Sequence, residues 1–299
     1  MKRAIDIIHM TKDYGYGKGI FDVSLTVEEG ETFGYLGPNG AGKTTTIRQL
    51  MGFIQPDDGK CQILGMDCFE YAPQIQKDLG YLAGEIAFMN DMKGPEFLDF
   101  MADMKGVHDK TRMKELMEMF ELDPRGRIKK MSKGMKQKLG IIAAFMDKPK
   151  VLILDEPTSG LDPLMQNRFV ELIQEEKKRG ATILMSSHIF EEVEKTCDRT
   201  AIIRDGKLVA VENIHELSKH CQKNYRLTLK DELEADKLVA DGKLTVVNRT
   251  GRHVELEVGE QVNETLRILS GYDLDDLDIT KQTLEDIFLR FYEKGGDGK

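Results

Sequence analysis

Short apolar runs alternate with helical patterns through the first two thirds of the sequence. The runs Thr32–Leu36, Val151–Leu154 and Thr182–Met185 have the length and apolar character of buried strands. Strands that alternate with helices along a chain are typical of a parallel sheet in an α/β fold. We therefore predict an α/β domain that ends near residue 220.

A helical period replaces this alternation between Pro95 and Met146. Two apolar stripes recur there at helical spacing, and they consist of Met113, Leu116, Met117 and Phe120, followed by Met135, Leu139, Ile142 and Met146. These stripes predict a helical subdomain over about residues 86–146. It is inserted between the strands of the sheet.

The pattern changes again after the predicted hairpin turn Asp205-Gly206, which closes the first domain. Residues 221–299 follow an order of strand, helix, two strands, helix and strand, which predicts a small α+β domain that resembles a ferredoxin-like unit. A last helix over Leu284–Tyr292 carries an apolar face, so we expect it to pack against the first domain or a partner.

The composition excludes several classes of protein. The chain has 43 Lys and Arg residues against 52 Asp and Glu residues, a net charge of −9 that argues against nucleic acid as a partner. No apolar run reaches the roughly 18–20 residues of a membrane-spanning helix, and the first residues lack a secretory signal pattern. The four cysteines form no CxxC pair, so we expect a reduced, cytosolic chain.

A phosphate-binding loop follows the first of the predicted strands. The loop matches the pattern GxxxxGK[ST] and consists of Gly37, Pro38, Asn39, Gly40, Ala41, Gly42, Lys43, Thr44 and Thr45. Backbone N–H groups of such a loop surround phosphate oxygens. We expect Lys43 to neutralise the β- and γ-phosphates and Thr44 to bind Mg²⁺. The loop therefore predicts a nucleoside triphosphate, here ATP, as the ligand.

Two acidic residues follow the apolar run Val151–Leu154. Asp155, at the strand end, is placed to hold the Mg²⁺ shell, and Glu156 is placed to polarise an attacking water. Such a pair can also be an ordinary strand end near a helix cap. The phosphate loop in the same chain favours the catalytic interpretation.

Between these motifs lies the segment Met131-Ser132-Lys133-Gly134-Met135-Lys136-Gln137-Lys138. Together the motifs resemble the ATP-binding subunit of an ABC transporter. Ser132 and Gly134 match the serine and the second glycine of that family's LSGGQ signature, whereas Lys133 and Met135 depart from it. The variant is similar to the branch of bacterial type-2 exporters that move antibiotics, peptides or lipids.

The resemblance assigns expected roles to further residues. Ser159-Gly160-Leu161-Asp162 matches the D-loop, in which Asp162 would lie near the opposite monomer. His188 matches the switch histidine that contacts the γ-phosphate, and Tyr14 matches the aromatic residue that stacks on adenine. Gly84 stands where the family's Q-loop has glutamine. Whether the following residue, Glu85, replaces that glutamine is open.

The family implies an ATPase that works as a dimer with itself or with a paralogous subunit. Two ATP molecules would lie between the phosphate loop of one chain and the signature segment of the other. A separate integral-membrane permease would hold the chain at the inner face of the cell membrane, and the region Asp91–Met104 would contact it.

Three alternatives belong to other functional classes. A soluble ABC ATPase that acts on DNA or the ribosome would carry long coiled coils or two cassettes, and neither pattern occurs in the sequence. A regulatory module with little hydrolysis is disfavoured by the presence of Glu156 and His188. A GTPase is disfavoured because no NKxD sequence is present.

Overall fold

A computed structural model describes residues 2–89, 91–214, 216, 223–258 and 262–281. The chain divides into two units, Met1–Ile214 and His215–Lys299. The domain boundary expected from the sequence, near residue 220, lies outside the described residues, as does the predicted last helix.

A six-stranded sheet forms the centre of the first unit. Its strands are β3 (Thr32–Leu36), β6 (Leu79–Leu82), β7 (Val151–Asp155), β8 (Thr182–Ser187), β9 (Arg199–Arg204) and β10 (Lys207–Asn213). They lie in the order β10-β9-β3-β8-β7-β6, and all neighbours are parallel except β9 and β10. Every residue of β3, β7 and β8 is buried, which explains their unbroken apolar runs. The predicted parallel α/β sheet is therefore confirmed.

A second, antiparallel sheet packs against this one. It contains β1 (Arg3–Asp13), β2 (Gly19–Glu28), β4 (Asp58–Ile63) and β5 (Met66–Asp67), in the order β2-β1-β4-β5. Its alternate apolar residues, such as Ile7 and Val23, share one core with Phe33 and Tyr35 of β3 and Ile153 of β7. The sequence patterns above do not predict this sheet.

Helices fill the interval between β6 and β7. They are α3 (Gly94–Lys105), α4 (Thr111–Met119) and α5 (Lys133–Phe145), with a 3₁₀ turn at Ile128–Lys130. The remaining helices of the unit are α1 (Lys43–Leu50), α2 (Ala72–Ile75), α6 (Pro163–Arg179) and α7 (Phe190–Thr196). Met113, Leu116 and Phe120 are buried, as their spacing predicts. A buried carboxylate, Glu176, pairs with Arg112 at 3.1 Å and so ties α6 to α4.

The second unit has the β-α-β-β-α-β order of a ferredoxin-like fold. Its elements are β11 (Lys223–Leu229), α8 (Glu232–Asp241), β12 (Thr245–Thr250), β13 (His253–Val258), α9 (Val262–Leu269) and β14 (Leu274–Lys281). The sheet is antiparallel in the order β12-β13-β11-β14. Leu227, Leu256 and Leu238 lie in its apolar core. The predicted α+β class is confirmed.

Candidate active site

Three strands of the central sheet end beside one another at the candidate site. The loop that contains Gly37–Gly42 follows β3, Asp155 ends β7, and His188 follows β8. These three strands are neighbours and parallel, so their carboxyl ends lie at one edge of the sheet. Residues that are more than 100 positions apart in the sequence therefore meet there.

Lys43 is the first residue of α1, and its ammonium group points back over the loop. Its Nζ donates to the carbonyl oxygens of Gly37 at 2.5 Å and Pro38 at 3.2 Å. It also pairs with Glu156 Oε1 at 3.1 Å, and the side chain is only 5% exposed. A buried ammonium needs such partners, and phosphate oxygens are acceptors of the same kind.

Thr44 and Asp155 are brought together, as the sequence predicts for a pair that holds a metal. Thr44 Oγ1 donates to Asp155 Oδ2 at 2.8 Å, and Ser186 Oγ donates to Asp155 Oδ1 at 2.5 Å. Asp155 is buried, yet both of its oxygens are satisfied. A hydroxyl and a carboxylate are oxygen ligands that suit Mg²⁺ when phosphate and water complete the shell. The donor set therefore fits the expected ion.

Ser186 is a site residue that the motifs do not identify. It lies directly across from Asp155 in the register of β7 and β8. Its hydroxyl also accepts the backbone N–H of Glu156 at 3.0 Å. In the sequence, Ser186 is visible only as a polar residue at the end of an otherwise apolar strand. Its partner, Asp155, can be assigned only from the register of the sheet.

Glu156 lies between a cation and an imidazole. Its Oε2 is 2.5 Å from His188 Nδ1, while its Oε1 faces Lys43. The backbone of Glu156 is left-handed, with φ of 48°, a conformation that is uncommon outside glycine. This turn directs the carboxylate away from the strand and toward the loop. A carboxylate so placed can accept a proton from a water molecule.

Tyr14 lies at the rim of a 450 Å³ cleft around Lys43, which is called the lysine cleft below. The cleft is lined by the phosphate loop, Thr45, Glu156, Lys18 and Tyr14. Tyr14 is 51% exposed and lines the cleft beside the loop. Its position is compatible with a stacking role, which stays a prediction.

The signature residues do not line the lysine cleft of their own chain. Ser132 caps α5, because its Oγ accepts the N–H of Met135 at 3.2 Å. Asp162 caps α6 in the same way, through the N–H of Met165 at 3.0 Å. A Cβ at Gly134 would lie 2.8 Å from the carbonyl oxygen of Gly160, so the close approach of the D-loop requires glycine there.

A larger cleft of 690 Å³ adjoins the lysine cleft and is lined by Asp155, Glu156, His188, Gly84 and Glu85. A Cβ at Gly84 would lie 3.2 Å from Asp155 Oδ2, so a larger side chain would crowd that carboxylate. Tyr81 lines the same cleft, and burial together with the nearby Asp155 raises its pKa to about 12. Glu85, which follows Gly84 in the sequence, also lines this cleft.

Comparison with known proteins identifies the family. The sequence pattern of the ABC transporter family matches residues 20–159. Over 313 aligned residues, and 100% of both chains, the protein is 33% identical to the bacitracin transport ATP-binding protein BcrA of Bacillus licheniformis. The chain belongs to the ABC transporter family. It is also 36% identical over 208 residues to the linearmycin resistance ATP-binding protein LnrL of Bacillus subtilis. This alignment covers 68% of this chain and 67% of LnrL.

The structure agrees with this assignment. A solved ATP-binding subunit of an ABC transporter matches with a TM-score of 0.67 and 29% identity, over 73% of this chain and 92% of the other. This ABC transporter subunit therefore binds ATP and is an ATPase, with a P-loop ABC fold as predicted. Family membership also implies a membrane permease as partner. Among the residues that the structure describes, no helix has the length and apolar character needed to cross a membrane.

Proposed function

We propose that this ABC ATPase drives export of an antibiotic, a peptide or a lipid through a separate integral-membrane permease. BcrA is named for bacitracin transport and LnrL for linearmycin resistance. The similarity to BcrA extends over the whole chain and so includes the second unit. The chain would act in the cytoplasm, at the inner face of the membrane, where the permease holds it through the region of α3.

The contact of Glu156 with both Lys43 and His188 is the observation that carries the proposed mechanism. ATP phosphates would displace the loop carbonyls and Glu156 as partners of Lys43. Glu156 then becomes available to accept a proton from the attacking water, while His188 contacts the γ-phosphate and orients Glu156. Backbone N–H groups of Gly37–Gly42 and Thr45 surround the phosphates.

Magnesium would be held by Thr44 and Asp155, and it would supply charge neutralisation at the phosphates. Ser186 keeps Asp155 in one rotamer through its 2.5 Å hydrogen bond. Tyr14, at the mouth of the lysine cleft, would stack on the adenine ring. The chemistry of these side chains and their positions in the two clefts support the proposed roles.

The ATP-bound form is proposed to be a homodimer. Ser132, Gly134 and Asp162 do not line the lysine cleft of their own chain, and they stand on other structural elements than Lys43. In a dimer, Ser132 and Gly134 of one protomer would contact the ATP that Lys43 of its partner holds. Closure would then depend on ATP and would be reversed by hydrolysis.

A substitution at Ser132 should separate dimerisation from ATP binding. In a Glu156→Gln background, which keeps ATP intact, MgATP should convert monomers to dimers. Adding Ser132→Arg should abolish the dimer, because a bulky cation blocks the facing surface, while each monomer still binds ATP. The measurements are molecular mass by light scattering and nucleotide titration of the same samples.

Thr111→Arg is the matched control, since Thr111 is exposed at the start of α4, in the same helical region. It should leave ATP-dependent dimerisation intact. Loss of the Ser132 cap costs about 1 kcal/mol, so folding of the variant is checked by circular dichroism. A folded Ser132→Arg protein that still dimerises with MgATP would rule out the proposed interface.

Export itself is tested with membranes from cells that produce the tagged chain. The chain should co-purify with a permease, and inside-out vesicles that contain both should accumulate bacitracin or linearmycin only with MgATP. Vesicles with Glu156→Gln serve as the inactive control. A chain that is recovered entirely in the soluble fraction, with no membrane protein bound, would instead favour the non-transport alternative.

A further inference from the structure

A buried carboxylate, Glu192, lies on α7 behind the contact between Glu156 and His188. Its side chain is 7% exposed, and its Oε2 accepts a hydrogen bond from Ser187 Oγ at 2.6 Å. Neither of the nucleotide clefts includes it. None of the motifs assigns it a role, because it stands among other acidic residues on a short helix.

Ser187 connects Glu192 to both sides of His188. The Ser187 hydroxyl accepts the backbone N–H of Ile189 at 3.0 Å while it donates to Glu192. The carbonyl oxygen of Ser187 accepts the N–H of Gly37 at 3.4 Å. The backbone that carries His188 is thus fixed from both sides. Glu192 is the nearer acceptor of the connecting hydroxyl, at 2.6 Å against 3.4 Å for the Ile189 carbonyl oxygen.

The burial of Glu192 is costly, which argues against a purely stabilising role. Its Oε1 is buried and accepts no hydrogen bond of good geometry among the described residues, although the Thr158 hydroxyl acts on the carboxylate. Burial raises the pKa of Glu192 to about 6, against the opposing effect of the Ser187 and Thr158 hydroxyls. Natural proteins keep a buried and incompletely hydrogen-bonded carboxylate chiefly where function requires it.

We propose that Glu192 is a positioning residue for ATP hydrolysis, which acts through Ser187 to hold His188 against Glu156. The proposal rests on the hydrolytic roles proposed above for Glu156 and His188. Glu192 touches neither ATP nor the attacking water in this arrangement. Its effect should therefore be visible in turnover and not in nucleotide binding.

Glu192→Ala should lower kcat roughly tenfold, because displacement of a group near the reacting atoms by about 1 Å can have effects up to 10²-fold. The KM for ATP should stay within about twofold of wild type, since the variant leaves Lys43 and the phosphate loop unchanged. Glu192→Gln should retain most of kcat, because its amide oxygen can still accept from Ser187. Steady-state ATPase assays measure both constants, and Glu191→Gln, on the exposed side of α7, is the control.

A double-mutant cycle distinguishes positioning from a general structural effect. In a His188→Ala background, Glu192→Ala should cause no further loss, and the same should hold in a Ser187→Ala background. Additive losses in folded proteins would overturn the proposal, as would a loss in Glu192→Gln as large as that in Glu192→Ala. If His188→Ala and Glu156→Gln themselves retained full activity, the proposed mechanism would be wrong instead.

Discussion

The Glu156→Gln variant should hydrolyse ATP at least about 10²-fold more slowly than the wild type. Glutamine keeps the size and the hydrogen-bonding oxygen of glutamate, but it cannot accept the proton of the attacking water. ATP affinity should not fall, because the pairing of Glu156 with Lys43 competes with the phosphates and does not assist them. The same variant should consequently accumulate in the ATP-bound state.

Single-turnover hydrolysis and nucleotide titration measure the two quantities separately. Glu85→Gln is the informative comparison, since Glu85 lines the same large cleft as Glu156. It should retain much more activity than Glu156→Gln. If instead Glu85→Gln fell as far and Glu156→Gln remained active, the base would be Glu85.

The Lys43→Ala variant should lose affinity for MgATP by about 2 kcal/mol or more, which is a factor of about 30 in Kd. The ammonium group is already buried over the phosphate loop, at 2.5 Å from the Gly37 carbonyl oxygen. The ammonium group is therefore already in position and only exchanges these partners for phosphate oxygens. Alanine removes its whole contribution to phosphate binding. Hydrolysis should fall as a consequence of the lost binding.

Lys18 provides a matched control, because it lines the same cleft but is exposed at its mouth. Lys18→Ala should change Kd only slightly, since exposed charges interact weakly through water. Isothermal titration calorimetry with MgATP measures Kd for the folded Lys43→Ala and Lys18→Ala proteins. Wild-type affinity in Lys43→Ala would contradict the assignment of the phosphate loop.

The phosphate loop could be predicted from the sequence because its chemistry is contiguous. One turn between a strand and a helix supplies Gly37–Gly42, Lys43 and Thr44, so a local pattern contains the whole group. Asp155 and Glu156 could be predicted for the same reason, as they directly follow an apolar run. Their proposed roles in hydrolysis stay predictions until the variants are measured.

Ser186 and Glu192 could not be found in this way, because each acts through a residue that is distant in sequence or on another element. Ser186 meets Asp155 only through the register of two parallel strands. Glu192 is one of several acidic residues near α7, and burial alone separates it from its exposed neighbour Glu191. Periodicity in a helix of seven residues cannot make that distinction.

The α/β class, the helical region, the order of elements in the second unit and the phosphate loop can all be predicted from the sequence. Each of these features is set by residues that are close together in the sequence. They are the spacing of apolar residues, the residue types of the turns and one strand-to-helix connection. The three-dimensional packing, by contrast, is needed to show that the antiparallel sheet of β1, β2, β4 and β5 shares the core of the first unit. It also brought Lys43, Glu156 and His188 into contact, because those distances depend on which strands become neighbours in the sheet, and that is set by packing of the whole domain.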